Sequence, residues 1–158
     1  MKIGIGYDVH KFSENTSLIL GGCNIDYELG LVGYSDADVV IHSIIDSILG
    51  AAGLGDIGEL FPPGNKEFLG ISSVILLSKV AELIEKNGFL IVNIDTTIIA
   101  EKPKLVSYKE KMQYNISKAL KISSEQVNIK ATTTEKLGFT GRGEGIACQS
   151  VTLLDSFE

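Results

Sequence analysis

Residues 2 to 10 read KIGIGYDVH, and this alternation restricts the fold more than any other stretch of the chain. In a β-strand successive side chains point to opposite faces, so Ile3, Ile5, Tyr7 and Val9 share one face and Gly4, Gly6, Asp8 and His10 the other. One face is available for packing; the other is bare until its last two positions. Glycine weakens a strand interior, and its usual justification is that something else must approach the backbone closely. The rest of the chain has to supply that neighbour.

With 158 residues, 44% of them hydrophobic and no linker-like stretch, residues 1–158 are expected to form one domain that buries roughly 70% of its unfolded surface. The first residues carry one lysine, then glycines and an aspartate, which predicts neither a signal peptide nor a membrane span and points to a cytoplasmic protein. In that compartment Cys23 and Cys148 are expected as free thiols, and two isolated cysteines make no zinc framework. A net charge of −6 disfavours nucleic acid, which is bound mainly by clustered Lys and Arg. A small anionic substrate is compatible with that charge if metal ions neutralise it.

The pattern along the chain is α+β, an α/β two-layer arrangement. SLILGG and CNIDYE read as short strands around a glycine turn. Ser35 offers a helix N-cap, with Asp36 and Asp38 in the first turn, before an apolar run from Val39 to Leu49. A second helix is predicted from about Ser72 to Asn87 with Gly88 as C-cap, and a third from about Leu105 to Leu120 with Tyr108, Met112 and Ile116 on one side. The strands IVNIDTTIIA, VNIKAT and GIACQSVTLL complete four main strands in a mixed sheet, with helices on one face. IVNIDTTIIA has few charges on either side, so the second face is covered either by further helices or by copies of the same chain in a closed ring.

Four places carry chemistry. The chain has only two histidines, His10 and His42. His10 shares a strand face with Asp8, and His42 sits on the first helix between Asp38 and Asp46, one turn away on each side. Two His and one carboxylate suit a zinc site with an open fourth position. Asp46 either orients His42 as an outer acceptor or is an ordinary helix carboxylate. The second place is GLGDIGELFPPG, where backbone amides and Asp56 could grip a ligand, although most glycine-rich loops are merely loops. The third is AEKPKL, where Lys104 either meets a phosphate or is a solvated turn residue. The fourth, KATTTEKLGFTGRGEGIA, combines three threonine hydroxyls, a hard oxygen ligand in Glu135 suited to Mg²⁺, and glycines that allow tight turns around Phe139 and Arg142. Neither a P-loop nor a dinucleotide fingerprint is present; GIGYDV has Val9 where the third glycine would stand.

Taken together, YDVH, SDADVVIH, LGDIGELFP, IIAEKPKL and KATTTEKLGFTGRGEGIA resemble the 2-C-methyl-D-erythritol 2,4-cyclodiphosphate synthase family of the non-mevalonate isoprenoid pathway, over essentially the whole chain. The resemblance implies a homotrimer with sites between subunits and the free sheet face packed in the trimer core. It implies one zinc per subunit on Asp8, His10 and His42, and a second divalent cation, Mg²⁺ or Mn²⁺, at Glu135. The implied reaction cyclises a cytidine-diphosphate methylerythritol 2-phosphate, the 2-phosphate displacing CMP at the β-phosphorus, with no protein nucleophile. A metal-dependent phosphohydrolase and a non-catalytic trimeric nucleotide sensor are the alternatives.

By the same resemblance Tyr34, Thr133 and Glu135 take the catalytic positions. Substrate contacts fall on Asp8, Val9, His10 and Ser35 near the zinc, and on Asp56, Ile57, Gly58 and Phe61 around the sugar. On the cytidine and phosphate side they fall on Ala100, Pro103, Lys104, Leu105 and Val106, and on Ala131, Thr132, Thr133 and Thr134. Phe139, Arg142 and Glu144 match positions around the trimer axis, where some members hold an isoprenoid diphosphate. Two departures stand out: the family's usual His is Tyr34 here, and an acidic loop residue is Pro63.

Overall fold

The glycine face of the first strand meets a helix. The structure, a computed structural model, describes residues 1–157. In it β1 (Lys2–Ser13) leads through the hairpin β2 (Leu18–Leu20) and β3 (Cys23–Ile25) and the two-residue strand β4 (Gly30–Leu31) to helix α1 (Val39–Ala52). A single helical turn, α2 (Ile57–Leu60), precedes α3 (Ser73–Lys86), β5 (Phe89–Ile99), α4 (Lys109–Leu120), β6 (Val127–Thr132), the turn α5 (Gly138–Gly141) and β7 (Gly145–Ser156). The main sheet has the order β4-β1-β7-β5-β6; β5 and β6 are parallel and the other pairs antiparallel. The four long strands match the expected mixed sheet.

α1 is rich in β-branched residues, which are middling helix formers, so burial rather than propensity holds it. Only Asp46 and Gly50 escape full burial along its length. Each enclosed Ile, Leu or Val contributes about 1.5–3 kcal/mol. A Cβ on Gly6 would lie 1.9 Å from the Ser43 carbonyl oxygen, and one on Gly4 would lie 2.1 Å from that of Ser47. The close neighbour demanded by KIGIG is therefore the backbone of α1. Where α1 faces β7, serine and threonine keep the spacing small: Ser43 Oγ meets Ser150 Oγ at 2.7 Å and Ser47 Oγ meets Thr152 Oγ1 at 2.6 Å.

The apolar face of β1 points outward: Ile3 is 73%, Ile5 62% and Tyr7 54% exposed. Further helices do not cover this face, which removes that alternative. The outward row of β5 is polar where it meets β6, with Asp95 accepting from Asn128 and pairing with Lys130. The apolar strip thus belongs to β1 and β7 rather than to IVNIDTTIIA.

Ser35 does not cap α1. Asp38 does: its buried carboxylate accepts from Ile41 N at 3.1 Å, and also from Gly21 N and Gly22 N at 2.9 and 2.7 Å, tying the helix start to the β2–β3 hairpin. Burial and the nearby Asp36 charge push its pKa up to about 6 against those three donors. The third helix begins later than expected, because Val106–Tyr108 forms a 3₁₀ turn before α4. Among the described residues no helix is long and apolar enough to cross a membrane.

Candidate metal centre and adjoining cleft

Gly6 lets α1 approach β1 just before Asp8, and so the end of the strand and the first turns of the helix share a small space. Ligand atoms of Asp8, His10 and His42 lie within 4.8 Å of one another there. Asp8 Oδ2 is 2.9 Å from His10 Nε2 and 3.1 Å from His42 Nδ1, and these two ring nitrogens are 3.1 Å apart. The outer nitrogens fix the tautomers. His10 Nδ1–H donates to the Val32 carbonyl at 2.8 Å, which leaves a lone pair on Nε2. His42 Nε2 lies 2.8 Å from Ser73 Oγ and 3.0 Å from Ser35 Oγ. The Ser73 hydroxyl donates to Asp36, so it accepts from His42 Nε2–H and leaves the His42 lone pair on Nδ1. Two imidazole lone pairs and a carboxylate facing one another repel unless a proton or a cation sits among them. This donor set fits a divalent metal with an open position.

The charges agree with that reading. Burial works against ionisation of Asp8, but when a proton takes the cation's place an imidazole can donate to it, and the hydrogen bonds and charge of His10 and His42 then outweigh burial and bring its pKa down to about 2. Burial likewise opposes protonation of His10, and its bond to Asp8 reverses the balance, raising it above the usual histidine value. Asp46 does not orient His42. Its Oδ1 accepts from Ile57 N at 2.8 Å and anchors α2 instead.

Next to the metal set lies a cleft of roughly 210 Å³ lined by Tyr34, Ser35, Ile57, Gly58, Phe61, Pro63, Phe68 and Leu76 together with both histidines. Asp56 is exposed and caps α2 through Glu59 N at 2.9 Å, just before Ile57 and Gly58 of the cleft. The structure therefore gathers Asp8, His10, Tyr34, Ser35, His42, Ile57, Gly58 and Phe61 into one place. Ser73 and Asp36, which set the His42 tautomer, were not legible as site residues. A hydroxyl at a helix start reads as a cap, and Ser72 rather than Ser73 occupies that capping position.

A second group forms at the paired ends of β5 and β6, where Ile99 sits opposite Thr132 and Ala100 N donates to Thr132 O at 3.0 Å. The loop after β5 carries Pro103, Lys104 and Val106 and the loop after β6 carries Thr133 and Glu135, joined by the Glu101 carboxylate, which accepts from Thr134 N and Lys136 N; Val106 is 77% exposed, whereas the Leu105 side chain is buried in the core. Thr133 Oγ1 accepts from Glu135 N, and the Thr134 hydroxyl donates to Leu137 O. A third group, Val9, Phe139 and Glu144, lines a hollow on the other side of His10, which borders both it and the cleft, with Arg142 donating to Glu144 at 2.7 Å. Within one chain β7 and β5 separate β1 from β6, a gap of three strand spacings or roughly 14 Å. The metal set sits on β1 and α1, while the second group leaves the sheet from β5 and β6.

Comparison with known proteins gives three findings. Residues 1–155 match the model of the YgbB family. A protein of Clostridium novyi named 2-C-methyl-D-erythritol 2,4-cyclodiphosphate synthase is 59% identical over 155 residues, 98% of this chain and 99% of the relative, and one of the same name from Clostridium botulinum is 57% identical over 98% and 100%. Among solved structures, Plasmodium falciparum IspF in complex with CDP superposes with a TM-score of 0.87 at 39% identity over 99% of this chain and 97% of that one. The bifunctional IspDF of Campylobacter jejuni gives a TM-score of 0.95 at 46% identity over 99% of this chain, which spans 42% of that longer protein.

Proposed function

The chain belongs to the YgbB family, and on that premise we propose that it cyclises 4-diphosphocytidyl-2-C-methyl-D-erythritol 2-phosphate to 2-C-methyl-D-erythritol 2,4-cyclodiphosphate with release of CMP. It is an enzyme of the isoprenoid pathway, a phosphorus–oxygen lyase. The observation that carries the reading is the convergence of Asp8, His10 and His42 beside the Tyr34–Ser35–Gly58 cleft, in a chain whose curated relatives are named for this reaction. Those names favour a cyclase over a hydrolase or a sensor.

In the reaction an oxygen of the 2-phosphate forms a bond to the β-phosphorus, and the bond from that phosphorus to the oxygen bridging it to the α-phosphorus breaks. CMP leaves with the bridging oxygen. A zinc ion on Asp8, His10 and His42 and a second divalent cation, Mg²⁺ or Mn²⁺, at Glu135 would neutralise the phosphate charge. The chain's own groups do the positioning. Tyr34 and Thr133 donate to phosphate oxygens, with Ser35 beside them, while Asp56, Ile57 and Gly58 hold the methylerythritol and Phe61 walls it in. Ala100 to Val106 and Ala131 to Thr134 cradle the cytidine and its phosphates. These loops come from a neighbouring subunit of a homotrimer, whose core is the outward apolar face of β1. Val9, Phe139, Arg142 and Glu144 face the axial cavity, where an isoprenoid diphosphate is a further occupant. A cytoplasmic location suits Cys23 and Cys148, both buried free thiols.

The test incubates purified protein with the diphosphocytidyl substrate and follows CMP. Chelator-treated protein should be inactive and regain turnover with added Zn²⁺ and Mg²⁺. No CMP from the metal-loaded protein would overturn the reading.

A further inference from the structure

We propose that Glu101 is a positioning residue for the nucleotide side of the site: it holds the turn that follows Thr133 in the left-handed backbone that Glu135 and Lys136 do not keep unaided. The proposal rests on the cytidine reading of that turn.

After β6 the chain turns through Glu135 at φ 53° and Lys136 at φ 64°, before Gly138 at φ 70°. Left-handed backbone is natural for the glycine and costly for two successive residues with long side chains. Such strain persists only where surrounding contacts over-determine it, and it gathers at functional sites. The contact here is the Glu101 carboxylate, just past the end of β5. Its Oε1 accepts from Lys136 N at 3.0 Å and from Thr134 N at 3.3 Å, so it grips the turn on both sides of Glu135. The turn is braced from behind by Gly141, where a Cβ would lie 2.2 Å from the Lys136 carbonyl carbon. Glu101 lies between Ala100 and Lys102, in the same loop as Lys104. One carboxylate thereby locks together the two loops that would cradle the nucleotide.

Both bonds need an acceptor and not a charge, which gives the role a signature. In ligand-free protein, Glu101→Ala should speed amide hydrogen exchange at Thr134 and Lys136. Calorimetric titration with CMP should show binding about tenfold weaker in Glu101→Ala, the scale set by releasing one strained residue. Metal content and thermal midpoint should match the wild type. Glu101→Gln keeps an amide oxygen in place and should stay within about threefold of wild type. Adding Lys136→Gly to Glu101→Ala should recover most of the loss, because glycine holds the left-handed turn without help. CMP affinity unchanged in Glu101→Ala, or lost equally in Glu101→Gln, would overturn the proposal while the nucleotide reading stands. A wild-type protein that does not bind CMP would overturn the nucleotide reading and this proposal together.

Discussion

At the scale of single residues the site is a matter of where protons sit. Val32 and the Ser73–Asp36 pair take the outer N–H of each histidine, so both inner nitrogens are ready to ligate. His42→Ala should therefore abolish metal retention, taking elemental analysis from about one zinc per chain to almost none, and with it turnover. His42 is buried, and its removal leaves a cavity and takes one partner from the Ser73 and Ser35 hydroxyls, so the variant should fold but lose about 1–3 kcal/mol. Full zinc in that variant would refute the ligand set. Titration makes a second prediction, for metal-free protein. Asp8 falls from 3.8 to about 2 on folding, so its contribution is present above about pH 4 and is lost as pH drops through 2. Burial lifts the Cys148 thiol from 9.0 to about 12, so its contribution is intact below pH 9 and is lost as pH climbs toward 12. Denaturant titrations should show a shallower acid limb in Asp8→Asn and a shallower alkaline limb in Cys148→Ala; limbs that do not change would contradict both assignments. Tyr34 lines the cleft, at a position where the resemblance leads one to expect a His. Tyr34→Phe should slow cyclisation by roughly ten- to a thousandfold with little effect on substrate affinity, as when one transition-state donor is lost. Wild-type turnover would reduce Tyr34 to a packing residue.

At the scale of elements, the distance between α1 and β1 decides whether the ligands converge. Gly6→Ala forces a methyl group against the carbonyl of Ser43, the residue next to His42. The helix must shift, at a cost of about 1–3 kcal/mol for overpacking. Metal affinity, read by competition with a chromogenic chelator, should fall by tenfold or more; unchanged affinity would mean the site does not depend on this contact. The helices and long strands were legible because start and stop residues and periodicity agreed. The cap of α1 was misassigned because SDAD offers several side chains that can cap, and only tertiary contacts with Gly21 and Gly22 select Asp38. β4, α2 and α5 span two, four and four residues, too short to show a period. The alternation of β1 was read correctly, but not that its glycine face would be the inner one. A close-packed helix backbone and an apolar ligand leave the same trace in sequence.

At the scale of the whole molecule the metal set and the β5–β6 loops lie on strands separated by others, and an exposed apolar strip runs along β1. Asp8, His10 and His42 could be picked out because the chain has no other histidine. Glu101, Ser73 and Asp36 could not, since their partners are backbone or hydroxyl groups remote in sequence. If neighbouring subunits complete each other's sites, inactive His42→Ala and Lys104→Ala chains should regain activity when co-assembled. Recovery no greater than the sum of the separate variants, in trimers shown to be mixed, would put both halves in one chain. If the β1 strip is the core of the proposed homotrimer, Ile5→Asp should give monomers on sedimentation and abolish turnover, because a carboxylate is costly to bury unpaired there. Cyclisation is separated from hydrolysis by phosphorus NMR of the diphosphocytidyl substrate turned over by the metal-loaded protein. CMP and a cyclic diphosphate should appear in equal amounts, with no orthophosphate. Orthophosphate, or a linear diphosphate alongside CMP, would contradict cyclisation.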